Sequence, residues 1–304
     1  MSEAAASRKG LLAALSAFTI WGLAPAYWKL LVGIPAAETV AHRVWWALLV
    51  LAAMLAFSQG FGVLRRLLRE PRLAAILATT TALTAINWLL FVWAILNGHV
   101  LESSLGYFIA PLINVLLGSV FLGERLRPAQ FVAVLLATGG VLWRVWNLGT
   151  LPWIPLSLAV TFALYGLLRK RAPVGALDGL FVETLMGAPF AAAWLAWLSW
   201  HRMGHFGADS TTMFALIGTG VVTAVPFLFF AYGARRLSLT TLGFAQYIGP
   251  SLQFMLAVFV YHEAFDHVSL VGFVCIWLAL VVFSLEAWFH ARASAGAAAS
   301  QQAA

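Results

Sequence analysis

The sequence predicts an all-α membrane protein with ten transmembrane helices, which form two inverted halves of five helices each. Three observations lead to this prediction: the apolar composition, the alternation of basic clusters along the chain, and an internal repeat. Of the 304 residues, 62% are hydrophobic and only 10% are charged, whereas soluble domains are about 45–50% apolar and about 25% charged. The surplus of apolar side chains must face lipid, so a lipid bilayer is an expected partner.

Ten apolar segments are long enough to span a bilayer, which takes about 20 mostly apolar residues. They lie at 10–31, 36–58, 73–96, 101–122, 128–146, 151–169, 178–200, 212–233, 239–261 and 267–289. The chain then divides into a cytoplasmic N-terminal tail, two five-helix halves and a cytoplasmic C-terminal tail that we expect to be disordered. These four parts are 1–9, 10–146, 151–290 and 291–304.

Lys and Arg cluster at every second connection between these segments. Only Arg144 and Arg202 lie at the opposite ends of the segments. Lys and Arg accumulate on the cytoplasmic side of membrane proteins, so the alternation predicts ten helices with both termini in the cytoplasm. Because apolar runs separate the clusters, the net charge of +7 does not indicate a nucleic-acid-binding face. The clusters are Arg8 and Lys9; Arg65, Arg66, Arg69 and Arg72; Arg125 and Arg127; Arg169, Lys170 and Arg171; Arg235 and Arg236; and Arg292.

The two halves resemble each other in sequence. Residues 84–94 align with residues 223–233, and Glu124 aligns with Glu263 in the same register. A weaker match pairs Glu38 with Glu183, each followed by Thr. Five helices are an odd number, so the second half must enter the membrane from the opposite side. Inverted repeats are typical of secondary transporters, with the substrate near the midplane between the halves.

Charged side chains inside the predicted spans need a reason to be there, since a charge at the bilayer centre costs at least ~2.5 kcal/mol on insertion scales. Glu38 and His42 are four residues apart on one face of the second helix, and Arg43 follows them. We expect Arg43 to pair with Glu38 or with Glu183. The pair is either structural or part of a coupling mechanism, and both Lys29 and Glu38 are expected to reach the membrane interface.

Polar stripes on other helices indicate either a cavity wall or close helix packing. Asn87 and Trp88 offer a hydrogen bond and a ring face to an aromatic guest. Small and polar residues also recur at helical spacing in the fourth and ninth segments, each with a proline. These stripes are Ser103, Tyr107, Pro111, Asn114 and Gly118, and Gln246, Gly249, Pro250, Gln253 and Ala257.

No motif indicates an enzyme. The chain has no pair of histidines with zinc-ligand spacing in a span, no nucleophile elbow and no phosphate-binding loop. We therefore expect no cofactor, no metal and no direct use of ATP. Uphill transport would take its energy from an ion gradient or an exchanged solute. A proton carried by His42 is the candidate, because histidine changes charge close to neutral pH. The loop histidines 201, 205, 262 and 267 are expected to be solvated.

With these residues in view, the chain closely resembles the RarD family of EamA-type permeases in the drug/metabolite transporter superfamily. The matching stretches are residues 21–29, 41–46, 87–91, 98–99, 102–109, 111–112, 164–167, 241–244 and 246–250. The resemblance implies ten helices in two inverted EamA repeats, the bacterial cytoplasmic membrane and a link to chloramphenicol sensitivity. One departure is Ala110, where the family pattern has Asn.

The function expected on these grounds is export of drugs or of amphipathic or aromatic metabolites by alternating access. The alternative is uptake or exchange of a metabolite, and a membrane-embedded enzyme or receptor is disfavoured. The substrate, the direction, the coupling ion and the oligomeric state stay open. The candidates for substrate binding or coupling are Trp21, Tyr27, Lys29, Glu38, His42, Arg43, Asn87, Trp88, Tyr107, Asn114, Tyr165, Glu183, Gln246 and Gln253.

Overall fold

The computed structural model describes residues 3–58, 61–122, 127–234, 236–237 and 245–302, and all regular structure within them is helical. A 3-10 turn, Lys29–Leu31, follows α1, and a π-helical turn, Leu256–Val260, follows α10. The helices are α1 Glu3–Trp28, α2 Ala36–Ser58, α3 Gly62–Arg69, α4 Pro71–Leu96, α5 Val100–Leu122, α6 Pro128–Leu148, α7 Trp153–Arg171, α8 Ala176–Trp200, α9 Ser210–Ala234, α10 Ile248–Met255 and α11 His267–Gln302.

Seven helical stretches of the described chain are apolar and long enough to cross a membrane, judged by length and composition. They are Arg8–Leu31, Ala36–Phe57, Pro71–Leu96, Pro128–Asn147, Ala176–Trp200, Ser210–Phe230 and His267–Glu286. Three shorter apolar stretches, Val100–Ile113, Trp153–Arg169 and Ile248–Val260, coincide with the other three predicted spans. The count of ten spans therefore stays a prediction, and the start of the predicted span 239–261 lies outside the described residues.

The structure adds helix where the sequence indicates none. Between α2 and α4, the short basic helix α3 is held by Arg66, which pairs with Glu70 at 2.8 Å and donates to the Pro173 carbonyl at 2.6 Å. The terminal helices also extend into the predicted tails, since α1 begins at Glu3 and α11 continues to Gln302. Alanine has the highest helix propensity, which explains why these Ala-rich ends are helical.

Equivalent helices of the two halves pack in equivalent ways. Three pairs of counterparts are in direct contact: α2 with α8, α5 with α10, and α6 with α11. The other main contacts occur in matched sets, because α1 packs on α9 and α10 while its counterpart α7 packs on α4 and α5. The matched contacts agree with the internal repeat in the sequence.

Some helix surfaces pack closely against a neighbouring helix, whereas others expose large apolar side chains. A Cβ atom on Gly220 of α9 would lie 2.5 Å from the backbone of Trp46, so only glycine permits this contact with α2. On the outer surface, large apolar side chains are open, with Phe190 79% and Trp200 86% exposed. Apolar surface of this extent suits lipid rather than water.

Glu263 fixes the start of α5 from the other half of the chain. Its carboxylate oxygens accept hydrogen bonds from the backbone N–H groups of Val100 at 2.8 Å and Leu101 at 2.7 Å. These N–H groups have no partner within their own helix. Burial raises the pKa of Glu263 above its usual range, although the two N–H donors and Lys29 oppose the rise. The aligned residue Glu124 lies outside the described part of the chain.

Candidate functional site

One face of α2 carries a row of polar side chains that lack partners. Thr39, His42, Arg43 and Trp46 follow one another at helical spacing, and the first three are buried. Within the described residues, no hydrogen-bond partner is found for the Thr39 hydroxyl, either ring nitrogen of His42, Nε of Arg43 or Nε1 of Trp46. Buried polar groups are normally paired, so this row is the strongest indication of a ligand site.

Arg43 does not form the ion pair that the sequence predicts. No carboxylate of the described chain lies within 4 Å of its guanidinium; instead its Cζ lies 3.9 Å from the ring centre of Trp88 and 5.2 Å from that of Trp28. A desolvated cation–π contact is worth about 2 kcal/mol, while the buried charge costs at least ~2.5 kcal/mol. The rings therefore hold Arg43 in place without neutralising it.

Glu38 is already bound to the loop between α8 and α9. One oxygen accepts the backbone N–H of His205 at 2.6 Å, and the other accepts Nδ1–H of the same residue at 2.8 Å. Beside it, the ring of Phe206 stacks on His42 with centroids 4.9 Å apart. His205, which was expected to be solvated, is 40% exposed, but its ring also contacts a carboxylate that is only 1% exposed.

Glu183, the counterpart of Glu38, is bound within its own half and by α4. Its oxygens accept hydrogen bonds from the hydroxyls of Thr80 at 2.7 Å and Tyr165 at 3.2 Å. Arg169 Nε lies 3.6 Å away. Both Glu183 and Tyr165 were predicted as site residues, and the structure brings them into contact with each other. They belong to the second half of the chain, whereas the α2 row belongs to the first.

Asn87 links three helices and has no group left for a guest. Its amide nitrogen donates to the Leu158 carbonyl at 3.1 Å and to Thr161 Oγ1 at 2.8 Å, and its oxygen accepts from the Tyr107 hydroxyl at 3.3 Å. Packing thus explains Asn87, while its neighbour Trp88 faces Arg43. Tyr107 is close enough to Arg43 to interact with it electrostatically.

The remaining candidates make separate contacts. The Tyr27 hydroxyl donates to the Ala215 carbonyl of α9, Lys29 lies 5.0 Å from the ring centre of Tyr261, and Trp21 belongs to a ring cluster with Phe227. Gln253 donates to the Trp21 carbonyl at 3.4 Å, whereas its Oε1 has no partner in the described chain.

Gln246 is half-buried beside the start of α10, and the side chain of Asn114 lies outside the described residues.

Sequence reasoning left three aromatic neighbours of the cluster out of the candidate set. They are Trp28, Trp46 and Phe206; the last is a loop residue that no helical period could assign. We use the name Arg43 cluster for Trp28, Thr39, His42, Arg43, Trp46, Trp88 and Phe206. Among the described residues, no group of three or more His, Cys, Asp or Glu could hold a metal ion.

A separate crevice between α5, α10 and α11 does not have the groups to recognise a polar solute. Its volume is about 460 Å³. Apart from Tyr247 and Ser284 it is lined by apolar side chains, including Phe108, Trp277 and Leu280. We assign it to lipid contact, because recognition needs convergent polar groups, and these lie in the Arg43 cluster.

Residues 8–146 and 151–285 each match the EamA-like transporter family. The chain belongs to this family. The two matches lie close to the two predicted halves, 10–146 and 151–290, so this EamA protein is a multi-pass helical membrane protein with two family domains. The family is one of transporters.

Relatives of this EamA protein cover nearly its whole length. Protein RarD of Salmonella typhi is 46% identical over 291 residues, which are 95% of this chain and 99% of the relative. Chloramphenicol-sensitive protein RarD of Pseudomonas aeruginosa is 36% identical over 290 residues, 94% and 96% of the two chains. A solved crystal structure shares the fold, with a TM-score of 0.61 at 20% identity, covering 93% of this chain and 98% of the other.

Proposed function

We propose that the protein is a secondary transporter of small molecules in the bacterial cytoplasmic membrane. It has ten spans in two inverted five-helix halves, both termini in the cytoplasm, and works by alternating access. It exports drugs or amphipathic or aromatic metabolites. The observation that carries the proposal is the Arg43 cluster, where buried polar atoms without partners meet aromatic rings on α1, α2, α4 and the loop of the second half.

The position of the cluster supports a transport site. Arg43 lies seven residues after the start of α2, which is about 10 Å along a helix that rises 1.5 Å per residue. Phe206 contributes from the second half, and α2 packs on both α8 and α9. A site between two halves becomes open to either side when the halves rock against each other.

The choice of aromatic cargo rests on the rings around the site. Trp28, Trp46, Trp88 and Phe206 provide faces for a planar, apolar body. The name of the Pseudomonas aeruginosa relative mentions chloramphenicol, an aromatic drug, and we extend that link to this chain as part of the proposal. In the alternative function, uptake or exchange of a metabolite, the same site would bind the solute, and the solute or ion gradient would set the direction of transport.

Counterflow in proteoliposomes tests the function. Vesicles containing purified protein are loaded with unlabelled chloramphenicol, or with aromatic amino acids, and the uptake of the labelled compound is followed. We expect uptake that depends on the protein and on internal solute, with empty vesicles and the exposed-site variant Arg72→Gln as controls. No protein-dependent exchange of any compound, or recovery of a chemically altered compound, would overturn the proposal.

Topology has its own test. Single cysteines replacing Glu124 and Glu263, in a Cys275→Ala background, should react with an impermeant maleimide from opposite sides of the membrane. These positions align in the two halves, so inversion places them on different faces. Labelling from the same side would contradict both the inverted repeat and the ten-span count.

A further inference from the structure

We propose that the transported solute is an anion, with a carboxylate or similar oxyanion that binds Arg43 and an aromatic body that lies among the surrounding rings. The inference rests on the proposed function and names its substrate class. It starts from the charge of the cluster. Arg43 is 8% exposed and stays charged at any physiological pH, and the two nearby candidate counter-ions, Glu38 and Glu183, are bound to His205 and Arg169.

The unpartnered atoms favour a ligand that accepts hydrogen bonds. Nε1 of Trp28, Nε1 of Trp46 and Nε of Arg43 all lack partners in the described chain, and indole and guanidinium nitrogens can only donate. The hydroxyl of Thr39 and one ring nitrogen of a neutral His42 can each donate as well. A cationic or donor-rich solute would leave the indole and guanidinium nitrogens unpaired, whereas an oxyanion would satisfy several of the donors together.

Neighbouring acceptors do not compete for Arg43. The Asn87 oxygen accepts from Tyr107, and the amide nitrogen is bound to α7. Nearby on α4, one turn before Trp88, Thr84 has a buried hydroxyl without a partner in the described residues. The positive charge, the donors and the ring faces thus belong to residues in contact with one another, and Arg presents planar paired donors that match a carboxylate.

Ligand-induced stabilisation tests the inference on the purified full chain. The probes are 3-phenylpropionate, its neutral amide and 3-phenylpropylamine, which share one aromatic body and differ in charge. A ligand that binds the native state raises Tm with concentration. A charge-assisted hydrogen bond is worth about 1.5–3 kcal/mol, so the carboxylate should bind at least about tenfold more tightly than the amide, and the amine should not bind measurably.

Substitutions assign the preference to Arg43. Arg43→Gln should reduce the difference between carboxylate and amide to less than about twofold, and Arg43→Lys should retain part of it, since the charge remains but the paired donors are lost. Arg72→Gln removes an exposed Arg and should leave the preference as in the wild type. Equal affinity for carboxylate and amide in the wild type, or stabilisation by none of the three compounds, would overturn the inference.

Counterflow separates this inference from the proposed function. Exchange of a neutral compound, either the amide or chloramphenicol, at the rate of the carboxylate would leave a transporter but refute an anionic substrate. Protein-dependent stabilisation by the carboxylate without any exchange would support the anion site and refute the transport function. Exchange of the carboxylate that is lost in Arg43→Gln and kept in Arg72→Gln supports both.

Discussion

The helices α2 and α8 are counterparts in the two halves of the sequence, yet of the two only α2 carries a buried Arg and a buried His. Both carry a buried Glu followed by Thr, Glu38 on α2 and Glu183 on α8. Beyond this pair the helices diverge, because His42, Arg43 and Trp46 of α2 correspond to Gly187, Ala188 and Ala191 of α8. The repeat therefore provides a symmetric frame, and substitutions on one helix place a single cationic site in it.

The two carboxylates also differ in how they are held. Glu183 is bound by side chains that belong to helices, including Arg169, whose charge does not change with pH. Glu38 is bound by one loop residue, His205, whose side chain is 40% exposed. The loop contact is therefore the one that solvent can reach, and we call the Glu38–His205 contact the outer latch.

The largest expected difference is in stability. Glu183→Leu leaves Arg169 without its carboxylate, and breaking a buried pair from one side costs about 3–5 kcal/mol. Glu38→Leu removes hydrogen bonds to a charged group worth about 1.5–3 kcal/mol, and its partner His205 is 40% exposed, so solvent can replace the lost contact. Thermal unfolding in detergent should therefore rank Glu183→Leu below Glu38→Leu, with Glu183→Gln between Glu183→Leu and the wild type. An equal or larger loss in Glu38→Leu would contradict the comparison.

Opening of the outer latch should expose the Arg43 cluster. A Thr39→Cys reporter in a Cys275→Ala background replaces a side chain that is fully buried. Adding His205→Ala should speed its reaction with an impermeant maleimide about tenfold, since loss of a charge-assisted hydrogen bond is worth at least that factor. The matched control is His201→Ala in the same loop, because that ring bonds only to Trp197 of its own helix in the described chain. Equal rates in the two variants would show that the loop does not close the site.

These contacts show which features of the site could be predicted from the sequence and which could not. The periodicity of α2 predicted its inward face, and hydropathy predicted the helices, because both depend on residues close together in the chain. The outer latch joins residues 167 positions apart, and the ring of Trp88 reaches Arg43 from another helix. Contacts of this kind depend on tertiary packing, so the sequence assigned Arg43 to the wrong partner and missed the contact of His205 with Glu38.

The smallest expected effect on folding is that of His42→Gln, which tests energy coupling. Both ring nitrogens of His42 lack partners in the described chain, and its main contact is the stack on Phe206, worth about 0.5–1.5 kcal/mol. The ring lies one turn from Glu38 and next to Arg43, so a shift of either neighbour as the site opens would change how readily it takes a proton. Its counterpart, Gly187, cannot carry a proton, so a histidine proton site would exist in one half only.

We therefore expect His42→Gln to lower the ratio of flux driven by a pH gradient to counterflow in the same vesicles. If His42 has a structural role instead, the substitution should reduce the amount of folded protein and leave that ratio unchanged in the protein that does fold. An unchanged ratio in well-folded His42→Gln would exclude His42 as the proton site, and the outer latch carboxylate Glu38 and its counterpart Glu183 would then be the groups to substitute.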